Sequence, residues 1–364
     1  MAGIVLAVVL MFSQAGFRNA MYDSQSELIR QFNGDLFLIS RLRHMISTNE
    51  PFASRRIEQA RNCEGVAAVS PVYINASMAV WQNPRDGSTR LIRVLAFDPD
   101  ASVLNDQEVT TQEHLLKAPD TVLFDELSRD YYGRPQAGTV GELAGRRVTV
   151  TGTFRLGTDF VNDGTVIMSD HNYLRFMPDR TTRHPHLNRV EVGVVRLADG
   201  AELRTVRRHL REALPDDVSV VTKDELVDVE TRYWRANTPI GFIFNLGMVV
   251  GFVIGIVICY QILYTNVRNY LPQFATMKAM GFTNAFLVGV VLQQSLVLAV
   301  LGFIPGLGVA HLLFWVVADL TGLLMKMTVW RAAVIFVFTL LMCIASGLIA
   351  VRKVVGADPA EVFR

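Results

Sequence analysis

Two patterns alternate along the chain. Apolar residues crowd its two ends, while residues 18–238 are polar and mixed in charge, interrupted by short β-branched runs. A helix needs about 20 apolar residues to cross a hydrocarbon core. Residues 239–264 meet that length with only Asn245 and Gln261 as strongly polar interruptions, and residues 332–351 form another clear span. Residues 285–317 exceed the length required, and Pro305 followed by Gly306 is expected to kink or divide that segment. Residues 2–17 are apolar but short, and no basic residue precedes them, as a cleaved signal would require. The pattern therefore predicts a first transmembrane helix at residues 1–20, whose cytoplasmic lead-in is either lost to a start placed downstream of the true one or naturally short.

Short loops set the orientation, because basic residues accumulate on the cytoplasmic side. The loop after the second span carries Arg268 and Lys278 and no acid, and Arg352 and Lys353 open the C-terminal tail. The expected plan is a large external domain at residues 21–238, a second span at 239–264 and a cytoplasmic loop at 265–284. A third span at 285–317, a short external loop at 318–331, a fourth span at 332–351 and a cytoplasmic tail at 352–364 complete it. The fold class is thus a membrane protein with four transmembrane helices and a large α+β extracytoplasmic (periplasmic) domain between the first and second.

Within the external stretch, residues 36–39, 66–80, 91–97, 147–154, 165–168 and 190–197 read as strands, and 54–61 as a helix. A second helix is predicted at 200–214: Asp199 is placed to cap it, and Leu203, Val206, Leu210 and Leu214 share one face. Thr222 and Glu225 have capping-box spacing and open a third helix, expected to run through Tyr233 and Trp234 toward the second span. The alternation is expected to build two lobes, with about residues 98–188 inserted as the outer one.

Composition narrows the chemistry. A formal charge of +1 across 364 residues offers no dense basic face for nucleic acid. Three cysteines, Cys63, Cys259 and Cys343, form neither a disulfide framework nor a zinc spacing. His184 and His186 lack neighbouring Cys, Asp or Glu in ligand register, so no metal or other cofactor is expected. Asp125, Glu126 and Asp130 read as surface acids rather than a hydrolytic pair, and Arg204, Arg207, Arg208 and Arg211 as a solvated helix face. No G-x-x-x-x-G-K-[ST] loop occurs, nor any Gly-Lys pair, so the chain is not a P-loop ATPase.

Two features in the membrane half carry more. Gly247, Gly251 and Gly255 recur every four residues on one face of the second span, where another backbone can approach closely. The partner is either the chain's own bundle or a second copy. In the cytoplasmic loop, Pro272 suits a first helical turn and Gly281 a C-terminal stop, so a helix is predicted from 271 to 280. Tyr270, Phe274, Met277 and Gly281 line one stripe of it, suited either to a groove on a partner or to the lipid surface.

One span, a large external domain and three further spans resembles the FtsX/MacB-type permeases of ABC systems. The residues 233–234, 238–244 (TPIGFIF), 260–264 (YQILY), 275–281 (ATMKAMG) and 357–363 (ADPAEVF) resemble the DevC-like branch, as do Leu10-Met11-Phe12, Gln14 and Gly16-Phe17. The resemblance spans nearly the whole chain, and 239–364 corresponds to its permease domain. It implies an export permease for lipid, glycolipid or other envelope cargo, acting as a homodimer with a separate ABC ATPase subunit, a periplasmic membrane-fusion adaptor and a TolC-like outer-membrane protein. The non-export alternatives are an FtsX-like regulator of periplasmic cell-wall hydrolases and a lipoprotein-extracting permease.

Carried onto this sequence, the resemblance places ATPase contact at Tyr270, Leu271, Phe274, Met277, Lys278, Met280, Gly281 and Phe282. Gly247, Gly251 and Gly255 fall in the tightly packed second span. Tyr233, Trp234 and Pro239 join that span to the external domain. The resemblance also implies a cytoplasmic segment ahead of the first span.

Overall fold

The structure, a computed structural model, describes residues 2–177 and 188–355, with the side chains at 77, 78 and 352–355 also left undescribed. His184 and His186, the side chains of Arg352 and Lys353, and the motif at 357–363 lie outside the described residues. The chain divides into two compact units. One comprises Met21–Thr238 with Thr321–Leu324, and the other Met1–Ala20, Pro239–Leu320 and Met325–Arg364.

The first unit is built on a mixed sheet. Its strands are β1 (Leu36–Ser40), β3 (Val66–Gln82), β4 (Thr89–Phe97), β5 (Thr121–Asp125), β6 (Val140–Leu143), β7 (Arg146–Phe154), β8 (Thr165–Ser169), β10 (Val192–Leu197) and β11 (Val218–Thr222). They lie in the order β11-β1-β10-β3-β4-β8-β5-β7-β6, while β2 (Phe52–Ala53) and β9 (Arg189–Val190) form a separate pair. The β4–β8 and β5–β7 pairs are parallel and the other pairings antiparallel. β3 and β4 form a long hairpin whose register slips between Asn75 and Ala79, the local irregularity a β-bulge introduces.

Side chains alternate across this sheet and build a core on each face. Leu36 and Leu38 join one cluster with Trp81, Phe124, Tyr173, Val206 and Leu210, and Phe37 and Ile39 join the other with Leu28, Phe32, Val103, Leu116 and Leu226. The helices covering the first face are α2 (Arg55–Arg61), α4 (Asp170–Phe176) and α5 (Leu203–Ala213). The second face is covered by the last turns of α1 (Ala2–Gln31), by the short α3 (Gln107–Thr110) and by α6 (Lys223–Asn237).

Three expectations for this unit change. α5 starts at Leu203, and Asp199 does not cap it. Gly200 stands at φ +80° and Ala201 N–H bonds to the Ala198 carbonyl, so a tight turn separates Asp199 from the helix, whose N-cap is Glu202. α6 has the Thr222/Glu225 capping box, but it stops at Asn237 rather than entering the second span. Thr238 is extended at φ −124° and ψ 139°, the conformation a following proline imposes by clashing with a helical predecessor. Asp125 is fully buried at the end of β5, not a surface acid.

The second unit is a helical bundle. Its helices are the first part of α1, α7 (Ile240–Asn269), α8 (Leu271–Ala279), α9 (Asn284–Thr321) and α10 (Val329–Val355). Among the described residues, four helices are long and apolar enough to cross a membrane, and the large domain follows the first of them. α9 runs unbroken through Pro305, so the proline does not divide it. At 38 residues and about 1.5 Å per residue, this helix is longer than a hydrocarbon core is thick. α1 lies in the bundle core, where Ile4, Val8, Met11 and Phe12 meet Cys259, Ala299, Phe314 and Met342. The one charge in this part of α1, Arg18, donates to Asn245 Oδ1 at 2.5 Å.

Candidate functional site

α8 lies between the second and third apolar helices. Pro272 occupies its first turn, where a missing N–H leaves no helical bond unmade. Gly281 stops it at φ +93°, donating to the Lys278 carbonyl, a left-handed C-terminal stop that side chains with a Cβ disfavour. Tyr270 ends α7 and caps α8, so the two helices share one residue.

The apolar stripe expected on α8 is divided. Phe274 is 5% exposed and packs with Val267, Leu287, Val291 and Val351. Met277 packs against the same cluster, and Ala275 is also buried. Within the chain, Phe274 and Met277 are thus packed against its own helices. Tyr270, Met280 and Phe282 point the other way, 50%, 65% and 44% exposed. Phe286, in the first turn of α9, is exposed too and lies against Phe282, the ring centroids 4.8 Å apart and the planes tilted by 32°. Sequence reading missed Phe286; its i,i+4 spacing from Phe282 was the available signal.

The glycines of α7 face the chain's own helices. A Cβ at Gly255 would collide with Met342 of α10 and stand 3.0 Å from Ala7 of α1. At Gly251 it would meet Leu10 and Met11, and at Gly247, Gln14. Within the chain, α1 and α10 pack against this face. The opposite side of α7 exposes Phe242, Leu246, Val249 and Val253.

At the membrane-facing end of α6, Trp234 Nε1–H donates to Glu230 Oε1 at 3.0 Å. Glu230 Oε2 accepts the Ile46 backbone N–H at 2.6 Å. Glu230 is 1% exposed, and burial raises its carboxyl to about 7 against the opposing effect of these two donors. Thr238 Oγ1–H closes onto the Trp234 carbonyl. Tyr233 sits edge-on to Trp234, and Pro239 is the N-cap of α7.

A further linkage was not visible in the sequence. Asp125 accepts three backbone N–H groups, from Leu127 at 3.0 Å, Leu156 at 3.1 Å and Gly157 at 3.0 Å. Burial raises its carboxyl to about 6, while these bonds pull it down. The turn it holds is bonded to the last residue of α9: Thr158 Oγ1–H donates to the Thr321 carbonyl at 3.1 Å. Gly157 and Gly322 both have positive φ, and a Cβ on Gly157 would stand 3.2 Å from the Gly322 carbonyl oxygen. An acid closing an uninterrupted apolar run (TVLFD) was the only clue. Among the described residues no group of three or more His, Cys, Asp or Glu is placed to hold a metal ion.

Comparison with known proteins fits this architecture. Residues 1–213 match the MacB-like periplasmic core domain, and residues 245–359 match the FtsX-like permease C-terminal domain. The chain belongs to the FtsX/MacB-type ABC transporter permeases. It is a multi-pass inner-membrane protein with a periplasmic domain. No curated protein matches it. Solved structures similar to it include the periplasmic region of MacB from Actinobacillus actinomycetemcomitans, 12% identical, covering 57% of this chain and 95% of that one at a TM-score of 0.38. The extracellular domain of the noncanonic ABC-type transporter YknZ from Gram-positive bacteria is 12% identical, covering 52% and 99% at 0.33. A domain of a putative permease protein from Porphyromonas gingivalis is 15% identical, covering 53% and 90% at 0.32.

Proposed function

We propose that this chain is the permease subunit of a DevC-like exporter, driven by a separate ATPase that grips the outward side of α8. The observation that carries the reading is the exposed apolar group Tyr270, Met280, Phe282 and Phe286 on a short cytoplasmic helix between two spans. Apolar side chains on a helix at the cytoplasmic face suit a groove on a partner. Because Phe274 seats the other side of α8 against α7, α9 and α10, a push on α8 is delivered to the spans rather than absorbed by a loose loop.

Lys278 stands in the last turn of α8, where a cation is favoured by the helix dipole. The spans pass that motion outward through the Thr238–Pro239 joint and the Glu230–Trp234 clasp. The chain works as a homodimer. Because α1 and α10 already cover Gly251 and Gly255, the second copy meets a different surface. A periplasmic adaptor and an outer-membrane duct receive lipid, glycolipid or other envelope cargo.

Gentle purification of the tagged chain from native membranes, with identification of what accompanies it, tests the assembly. An ABC ATPase together with a periplasmic adaptor is the expected result. An ATPase accompanied by cell-wall hydrolases in place of an adaptor overturns export, and no ATPase overturns the whole reading.

A further inference from the structure

Helix α5 separates its side chains by chemistry. Val206 and Leu210 are buried in the core on the first face of the sheet. Away from that core stand Arg204, Arg207, Arg208 and Arg211, at i, i+3, i+4 and i+7. Residues at that spacing share one stripe, here about 10 Å long. An open cleft of about 340 Å³ lies along it, lined by the four arginines and Glu212.

A solvated helix face normally mixes its charges, because like charges at i,i+4 repel and weaken the helix. Two such pairs, Arg204–Arg208 and Arg207–Arg211, stand side by side here. The chain relieves only part of the repulsion. Arg207 Nη2 pairs with Glu225 Oε2 at 2.5 Å, an oxygen that also accepts the Thr222 N–H of the α6 cap. Arg207 Nε and Arg211 Nη2 both donate to the Val220 carbonyl, each at 3.2 Å. Two guanidiniums thus converge on one neutral oxygen, with a single carboxylate bonded to the pair. Arg204 and Arg208 are exposed, and among the described residues neither has a hydrogen-bond or ion-pair partner. Set against Glu212 and Glu225, the four arginines leave a local excess of two positive charges in a chain whose net charge is +1.

The arrangement selects among anions. A lone phosphate is held by donors that converge on it, whereas Arg207 and Arg211 are turned back onto Val220 and Arg204 and Arg208 stand a helical turn apart. A line of cations along a helix axis is matched by a line of carboxylates with the same rise. A second helix with Glu or Asp at i, i+4 and i+7 supplies that line, and a guanidinium fork takes a carboxylate two bonds at a time. We propose that the arginine stripe of α5 docks an acidic helical segment of a partner protein. Arg204 and Arg208 take its carboxylates, while Val220 and Glu225 hold Arg207 and Arg211 in place beside them.

The test uses the full chain in phosphatidylcholine nanodiscs, whose lipid adds no net charge. The probe is a dye-labelled, alanine-based helical peptide with glutamate at i, i+4 and i+7, followed by fluorescence anisotropy at low salt. Its control is the same peptide with glutamine at those positions. The glutamate peptide is expected to bind and the glutamine peptide to stay free. Arg204→Gln combined with Arg208→Gln weakens binding by roughly 2- to 30-fold. Removing the same charge at two exposed residues of β7, by Arg146→Gln with Arg147→Gln, leaves binding unchanged. Absence of binding by the glutamate peptide, or equal weakening by both double variants, overturns the proposal. Displacement of the peptide by an equal concentration of inorganic phosphate overturns it too, since the stripe then takes small anions. Equal melting temperatures of wild type and both variants, expected because Arg204 and Arg208 bond to nothing within the described chain, separate lost docking from lost fold.

Discussion

Glu230 holds the backbone N–H of Ile46 at 2.6 Å, joining the middle of α6 to the loop after β1 across 184 residues of chain. The same carboxylate holds the Trp234 indole, so one buried acid ties together the segment that leads into the second span.

That acid makes the periplasmic domain sensitive to pH. Its ordinary value is 4.5 and burial raises it to about 7, so the folded chain keeps a proton that the unfolded chain releases. The contribution to stability is full below about 4.5, falls as pH rises through about 7, and is flat above. The melting temperature is expected to decline between these limits, with Trp234 fluorescence changing in step. Glu230→Gln abolishes this component of the decline, at a cost of about 1–3 kcal/mol for the donor its amide leaves unpaired. An unchanged slope in that variant contradicts the assignment.

Asp125 holds three N–H groups, and Asp125→Ala leaves them without an acceptor. The expected outcome is faster amide exchange at Leu127, Leu156 and Gly157, with destabilisation of about 3 kcal/mol or more. Exchange at Thr222 and Glu225, in the α6 cap, stays at the wild-type rate. Protection at Gly157 that survives the substitution removes Asp125 from its place as the anchor of this turn.

Close approach at Gly255 is equally open to test. Gly255→Val drives a branched side chain into Met342 and Ala7, and a loss of about 1–3 kcal/mol is expected from overpacking. Gly289, with nothing within 4 Å of a built Cβ, accepts alanine without loss. Equal melting temperatures for both variants in detergent would show that α7 and α10 do not pack through this glycine.

Much of this architecture follows from local patterns. Pro272 and Gly281 bracket α8 because one lacks an N–H and the other tolerates a left-handed stop, and both properties belong to single residues. The Thr222/Glu225 cap is likewise complete within four positions. β5 went unread; like β1 and β8, which were read from their apolar runs, it is buried at all five residues and shows none of the alternation that marks a half-exposed strand. The direction of Phe274 was illegible for a different reason. Its cover includes Val351, 77 positions further along the chain, while Tyr270, on the same stripe four residues earlier, stays half exposed. Asp125 looked like a surface acid because its donors at Leu156 and Gly157 arrive from the turn after β7, 31 and 32 residues away.

The two sides of α8 are expected to respond differently. Phe274→Ala removes a buried ring from the cluster with Leu287 and Val291, so the bundle loses about 3–5 kcal/mol and the yield of folded protein falls. Met280→Ala and Phe282→Ala leave the melting temperature unchanged, because both side chains are exposed. The reverse pattern would place the partner-facing side where Phe274 lies.

The most direct test of the central claim is ATP hydrolysis by the permease–ATPase complex reconstituted in lipid, comparing the wild-type chain with a Met280→Asp, Phe282→Asp variant that inserts and melts normally. Loss of about 1–3 kcal/mol at such an interface weakens binding by roughly 5- to 150-fold, so stimulation of the ATPase is expected to collapse in the variant. Full stimulation by the doubly charged variant would contradict the account, because the exposed side of α8 would then not be where the ATPase takes hold.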